Sequence, residues 1–337
     1  MRIFEELFDY EKRVNASPKS HANRFVNNAD WYVNERYMKK IFAYPVLSSK
    51  NKIPGLSRTH ARGLMAQFLF GGKTRESFPS TADAIAIKRT HERLRGFYVT
   101  GHPRPHTVKI VCDSPRHKLR EATEREVGTR QRLLALNTIR IPKVLGTEQR
   151  EEAFVLCEEL IMGRRFNIRL DRTLHRSNLL PQLRDTYRAY GVRYAPIETF
   201  LPPHLDQQIT ELLGEKADGK RFKDALHKVI EKNGQAAVSL CHGGLVAGNL
   251  AVANGTVFFL DWKLAHEGPI AFDLLKLGVR YPRFAYIVRN IREMMAPDFT
   301  EMGCSFDDLL TAFVGRDLIR KPAAVARYLY FWQRHVA

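Results

Sequence analysis

The sequence predicts an α+β fold of two lobes, a small one of mixed sheet and helix followed by a mainly helical one. Three observations carry this. Short β-branched runs flank one long helical pattern between residues 84 and 157. Apolar residues recur at helical spacing through 167–235 and again through 283–337. The chain, at 337 residues and 44% hydrophobic, is long enough for two lobes, each with a core.

The elements follow in order. Residues 12–75 hold 13 Lys/Arg against two acids, Asp30 and Glu35, interleaved with Phe25, Trp31, Tyr32, Tyr37, Phe42 and Tyr44. Such a stretch reads as a basic arm packed on the body by its aromatics, or as a surface for RNA, an acidic membrane or phosphate. Loop punctuation at Gly71-Gly72-Lys73 and Pro79-Ser80-Thr81 sets a boundary near residue 80. The expected organisation is a basic N-terminal extension over 1–80, a small lobe over 81–163 and a helical lobe over 164–337. In the small lobe, Ala84–Ile87, Phe97–Thr100 and Thr107–Val111 read as strands, Arg116–Leu136 as a charge-rich helix, and Ile141–Gly146 and Phe154–Cys157 as extended segments.

The formal net charge of +18 and a pI near 9.9 imply an anionic partner without choosing between nucleotide, phosphorylated sugar, acidic lipid surface and nucleic acid. No run of about 18 apolar residues is present. Glu5 and Glu6 interrupt the N-terminus before a signal-peptide core can form, so the expected location is the cytoplasm. Cys112, Cys157, Cys241 and Cys304 stand far apart without CxxC spacing, which indicates neither a zinc site nor a disulfide framework.

The chemistry concentrates in residues 239–262, SLCHGGLVAGNLAVANGTVFFLDW. Asn254-Gly255 between apolar runs is a hairpin turn signal. The hairpin brings Asn249, before its first strand, to the same end as Asp261, after its second. An amide oxygen and a carboxylate at one end of a hairpin suit Mg²⁺, which takes oxygen ligands and completes its shell with water and phosphate. Each residue also has a plainer reading: Asn249 as a turn-forming amide and Asp261 as a turn or cap residue.

This segment resembles the aminoglycoside phosphotransferase and choline-kinase branch of the protein-kinase-like superfamily, which also includes lipopolysaccharide-core sugar kinases. The family's catalytic segment runs His-Gly-Asp-Leu, then Asn, then a hairpin ending in Asp-Trp. Here His242-Gly243-Gly244-Leu245, Asn249 and Asp261-Trp262 follow that order, and Gly268-Pro269 with Asp273-Leu274 is similar to a later motif whose acid braces the catalytic loop. Upstream, Val108-Lys109-Ile110 is similar to the strand lysine that holds nucleotide phosphates. Glu126 matches the helix glutamate that pairs with it, although Glu121 and Glu124 lie in the same helix. Residues 154–163, FVLCEELIMG, resemble the strand entering the adenine-binding hinge.

The resemblance implies ATP and Mg²⁺ as cofactors. Lys109 and Glu126 would lie at the phosphates, the backbone of Glu159, Leu160 and Ile161 at adenine, and Asn249 and Asp261 at the metal. Asp273 and His242 would brace the loop. The acceptor would be a hydroxyl on a small molecule or on a sugar of an anionic glycan or glycolipid. Contact with the inner face of a membrane is a further expectation, and nucleic acid is a weaker one resting on residues 12–75 alone.

Two departures bear on activity. Gly244 stands where the family has its catalytic aspartate, and glycine offers no base. The segment Lys88–Gly96, read as the phosphate loop between the first two strands, has one glycine, so its Lys and Arg side chains would replace close-approaching amides. The chain is therefore expected to be a kinase-like phosphotransferase weakened at its base, or a pseudokinase acting as a binding or scaffold module.

Overall fold

The computed structural model describes residues 30–33, 84–88, 93–98, 104–112, 119–151, 153–214, 217–296 and 303–336, with the backbone alone for 30–33, 84–88, 93, 94 and 112. Apart from Asp30–Val33, the basic extension over 1–80 lies outside the described residues, as do 89–92.

The chain divides into two compact units. The first takes the described residues up to Ala135 together with Arg140–Phe166 and Leu250–Lys263. Its main sheet contains β1 (Asp30–Val33), β2 (Ala84–Lys88), β3 (Arg93–Tyr98), β4 (His106–Cys112), β5 (Val144–Gln149) and β6 (Ala153–Glu159), in the order β1-β2-β3-β4-β6-β5 with every pairing antiparallel. Between β4 and β5 runs α1 (Leu119–Leu136). Thr123, Glu126, Val127, Arg130 and Leu133 are buried at helical spacing, a stripe that faces inward. Val127 packs against Phe154, Leu156 and Val144 of the sheet. Two of the stripe's five residues are charged, so this helix can bury its inner face only if both charges find partners.

A second, three-stranded sheet in this unit is formed by β7 (Arg164–Arg165), β10 (Leu250–Ala253) and β11 (Thr256–Phe259), in the order β11-β10-β7. The β10–β11 turn has Asn254 at φ +50° and Gly255 at φ +72°, the left-handed pair that a two-residue hairpin requires. Gly163 lets the chain run against β10, because a Cβ there would come within 2.3 Å of the Val252 carbonyl oxygen.

The second unit comprises 136–139, 167–249 and the described residues from Leu264 onward. Its sheet has the order β12-β9-β8, from β8 (Arg193–Pro196), β9 (Gln235–Cys241) and β12 (His266–Pro269), both pairings antiparallel. The helices are α2 (Leu180–Tyr190), α3 (Leu205–Leu213), α4 (Ala217–Lys232), α5 (Ile270–Arg280), α6 (Ala285–Met295), α7 (Phe306–Arg320) and α8 (Val325–His335). Most of α5 is buried, Ile270 to Leu275 without a break. The Arg316 guanidinium of α7 lies 4.5 Å over the Phe272 ring, beside Asp273, and holds Asp317, which also accepts from Tyr328 of α8 at 3.0 Å. None of the described helices is long and apolar enough to cross a membrane.

The architecture is the α+β one expected, with an antiparallel sheet lobe and a helical part. Several particulars differ. Lys88 closes β2 and Arg93–Gly96 belong to β3, so five of the nine residues read as a phosphate loop are strand, the last four of them paired with β4. Its arginines suggested a loop because charge is rare in a central strand, and Arg95 is accommodated there by an ion pair described below. The β8–β9–β12 sheet was missed: β8 lies in the 167–235 region read as helix and loop, and β9 and β12 flank the motif segment, where no such strands were expected. Ala236–Cys241 is buried on both faces and mostly apolar apart from Ser239, without the alternation that marks a half-buried strand, and His266–Pro269 carries no strand signal at all. Cys157, Cys241 and Cys304 are free thiols whose pKa values burial pushes up, which leaves them unreactive.

Candidate active site

The first unit presents a lysine inside its sheet. Lys109 sits on β4 between β3 and β6 and is buried. Its ammonium lies 3.6 Å from the Glu126 carboxylate, both side chains under a tenth exposed. Helix geometry selects this glutamate. Glu121 is exposed and Glu124 pairs with Arg120 at 3.1 Å, whereas Glu126 belongs to the inward stripe.

The pair does not stand alone. Arg130, one turn along α1, comes within 3.8 Å of Glu126 and donates to Glu158 at 2.5 Å and to the Pro142 carbonyl. Arg95 of β3 donates to the other Glu158 oxygen at 2.9 Å. Lys109, Glu126, Arg130, Glu158 and Arg95 thus form an alternating chain of charge through β4, α1, β6 and β3. Burial pushes the Glu158 carboxyl upward, but Arg95, Arg130 and Lys109 outweigh it and hold the group down at about 2. Of these five residues, the sequence named Lys109 and Glu126 as a pair, and held Arg95 and Glu158 only within segments read for other roles. The one local sign of Arg130 is its position four residues beyond Glu126, and nothing in the sequence joins either to Glu158.

Glu158 is followed directly by the segment expected to meet adenine. There the Glu159 N–H donates to the Lys143 carbonyl at 2.9 Å and the Leu160 N–H to the Pro105 carbonyl at 3.0 Å. Both amides are engaged within the protein, and Leu160 and Ile161 are buried.

In the second unit, the loop after β9 is gripped along its backbone. Asp273, in the first turn of α5 and buried, accepts from the His242 N–H at 2.7 Å and the Gly243 N–H at 3.0 Å. Lys276, one turn on, donates to the Gly243 carbonyl at 2.7 Å. The Gly244 N–H donates to His242 Nδ1 at 3.2 Å, which places that ring's acceptor nitrogen toward the loop. Asn249 Nδ2 donates to the Gly244 carbonyl at 2.8 Å. His242 is fully buried and acts here as a brace.

Gly243 has φ +76°, and a Cβ on it would fall 1.9 Å from the Leu264 carbonyl oxygen. Gly243→Ala is therefore expected to disrupt this loop and to lower the melting temperature by several degrees, measured by thermal unfolding against wild type. Gly244 has no such constraint. A Cβ there would meet Asn249 Nδ2 at 3.3 Å, with His242 Nδ1 and Leu264 Cδ1 both at 3.7 Å. The position is held by hydrogen bonds on both sides, and a Cβ there requires the Asn249 amide to give by a few tenths of an ångström.

Asn249 and Asp261 flank the paired end of the hairpin, where Leu250 faces Phe259. The Asn249 NH₂ donates to the Gly244 carbonyl, which leaves Oδ1 as the acceptor atom of that amide. Asp261 adopts φ +62°, a left-handed conformation uncommon for aspartate. Its Oδ2 lies 3.0 Å from the Lys263 ammonium. The Asn249 and Asp261 side chains each carry a hard oxygen of the kind Mg²⁺ takes. Among the described residues no group of three or more His, Cys, Asp or Glu could hold a metal ion.

Against known proteins, the model of the phosphotransferase enzyme family matches residues 94–307, more than half of the chain. No curated protein sequence matches. Among solved structures, the chain is similar to a thermostable mutant of aminoglycoside phosphotransferase APH(4)-Ia, with 16% identity over 73% of this chain and 90% of that one and a TM-score of 0.46. It is similar to a fructosamine-3-kinase candidate from Haemophilus somnus 129PT, with 13% identity over 72% and 85% and a TM-score of 0.46. Similarity to choline kinase LicA from Streptococcus pneumoniae is 14% over 72% and 88%, with a TM-score of 0.42.

Proposed function

The chain belongs to the phosphotransferase enzyme family, and from that premise we propose that it binds ATP with Mg²⁺ and transfers phosphate, at a rate lowered by Gly244, to a hydroxyl of a small molecule or of a glycan or glycolipid sugar. The observation that carries this reading is the buried Lys109–Glu126 pair. A lysine held in a sheet interior is costly unless it serves an anion or a partner. Here the partner is shared with Arg130, so Glu126 orients Lys109 without engaging it alone.

In this reading Lys109 meets the α- and β-phosphates. Asn249 Oδ1 and the Asp261 carboxylate hold Mg²⁺, which neutralises phosphate charge when bound. Of the hinge segment, the Glu159 and Leu160 amides are already engaged, so an adenine edge would be met by other backbone groups between Glu159 and Ile161. Asp273, Lys276 and His242 hold the 242–244 backbone where an acceptor hydroxyl would approach. With no carboxylate at Gly244, the acceptor proton leaves to solvent or to the transferred phosphate. That remains workable because phosphoryl transfer relies on positioning and charge stabilisation more than on a base.

A nucleotide-binding module without turnover is the second reading, favoured by the empty Gly244 position. Nucleotide binding is checked by thermal unfolding at millimolar ATP with Mg²⁺, using Lys109→Met as the control. A stabilisation of wild type that Lys109→Met loses is expected, and no shift in wild type would refute the reading. A search for ADP release then separates enzyme from binding module. The excess charge before residue 80 suits an anionic acceptor or an acidic membrane surface, and a salt-sensitive gel shift would reveal nucleic acid as the alternative.

A further inference from the structure

We propose that Lys263 is an internal counter-cation for Asp261, which lowers the affinity of that carboxylate for divalent metal and makes nucleotide binding less dependent on Mg²⁺ than a bare carboxylate would. The inference rests on the nucleotide-binding reading above and concerns the chain's own groups at the metal end of the hairpin.

Three observations place the ammonium on the carboxylate. Lys263 Nζ lies 3.0 Å from Asp261 Oδ2, a charge-assisted hydrogen bond. Asp261 is held at φ +62° between strand residue Phe259 and Trp262. Trp262 is buried, packs on Phe259 with ring centroids 6.4 Å apart, and opens the short turn Trp262–Leu264 that carries Lys263. The buried tryptophan thus anchors the turn between the two charges, and little chain ordering is needed to bring them together. Both side chains remain about one-third exposed, at 38% and 35%, so a ligand reaches the pair from solvent.

A divalent ion binding Asp261 must displace a positive charge or share the carboxylate with it, and like charges at that range oppose each other. Lysine is a compact point charge on a flexible stem. When a nucleotide arrives without metal, the same ammonium is placed to turn to its phosphates and supply part of the missing charge. Asn249 is unaffected by this exchange, because its amide is fixed on Gly244.

The test is the affinity of a non-hydrolysable ATP analogue, by calorimetry, with Mg²⁺ and with EDTA, for wild type, Lys263→Met and Lys263→Arg. Binding of Mn²⁺ to the nucleotide-loaded protein is followed in parallel by electron paramagnetic resonance. Lys263→Met is expected to bind Mn²⁺ about fivefold more tightly and to raise the Mg²⁺ dependence of nucleotide affinity by a similar factor, the upper end of an exposed ion pair. Lys263→Arg, which keeps the charge, is expected to stay near wild type. Equal Mg²⁺ dependence in wild type and Lys263→Met would overturn this inference while leaving nucleotide binding intact. Failure of wild type to bind nucleotide under either condition would remove both.

Discussion

Introducing aspartate at Gly244 is expected to raise ATP turnover by about 10²–10⁴-fold, the usual contribution of a positioned general base, equivalent to about 3 to 5 kcal/mol of barrier. The loop backbone is held in place without that side chain. Five backbone groups from the His242 N–H to the Gly244 carbonyl already have partners in Asp273, Lys276, His242 and Asn249. The new Cβ would press only on the Asn249 amide nitrogen, at 3.3 Å, which needs to yield by a few tenths of an ångström. The measurement is steady-state ADP release by wild type and Gly244→Asp, with nucleotide affinity determined alongside. A large rise in rate at unchanged affinity identifies the missing base as the deficiency. A variant no faster than wild type would show that a missing base at residue 244 is not what limits turnover.

Replacing Arg130 by methionine is expected to destabilise the protein by about 3 to 5 kcal/mol, because it leaves buried carboxylates without their shared cation. For a domain of this size that corresponds to a fall in melting temperature of roughly 10 °C. The sensitive partner is Glu158. Its ordinary value of 4.5 is lowered to about 2 in the fold, despite burial, by Arg95, Arg130 and Lys109. A depressed acid contributes stability that is complete above its unfolded value, and that contribution is lost as pH falls toward the folded one. Wild type should therefore lose this contribution between about pH 4.5 and pH 2. With Arg130 removed, the Glu158 carboxyl moves back up. Acid unfolding followed by circular dichroism should then begin at a higher pH in Arg130→Met than in wild type.

Much of the fold was legible because its signals are local. Asn254-Gly255 dictates a hairpin by backbone conformation alone, and the helical spacing of α1 and of the C-terminal helices records which face is buried. Candidate site residues such as His242, Asn249 and Asp261 could be named from the sequence because they lie within ordered motifs. Charge was the least legible property. Arg93 and Arg95 suggested a loop but stand in a strand, and nothing in the sequence marks Arg130 and Glu158 as partners although both are buried. A charged residue's burial depends on partners 28 and 63 positions away, as Arg130–Glu158 and Arg95–Glu158 show, and periodicity carries no record of them.

By itself, the sequence determined the α+β class, the hairpin and its flanking oxygen donors, the lysine inside a strand and the absence of a side chain at residue 244. These follow from backbone preferences and residue chemistry acting over a few positions. Only the tertiary structure decided which helix glutamate meets Lys109, that Arg130 divides that glutamate's charge with Glu158, that the Glu159 and Leu160 amides are engaged, and that Lys263 lies on Asp261. The first three depend on which groups distant in sequence share a low-dielectric interior, and the last on the left-handed turn that directs two nearby charges to the same side.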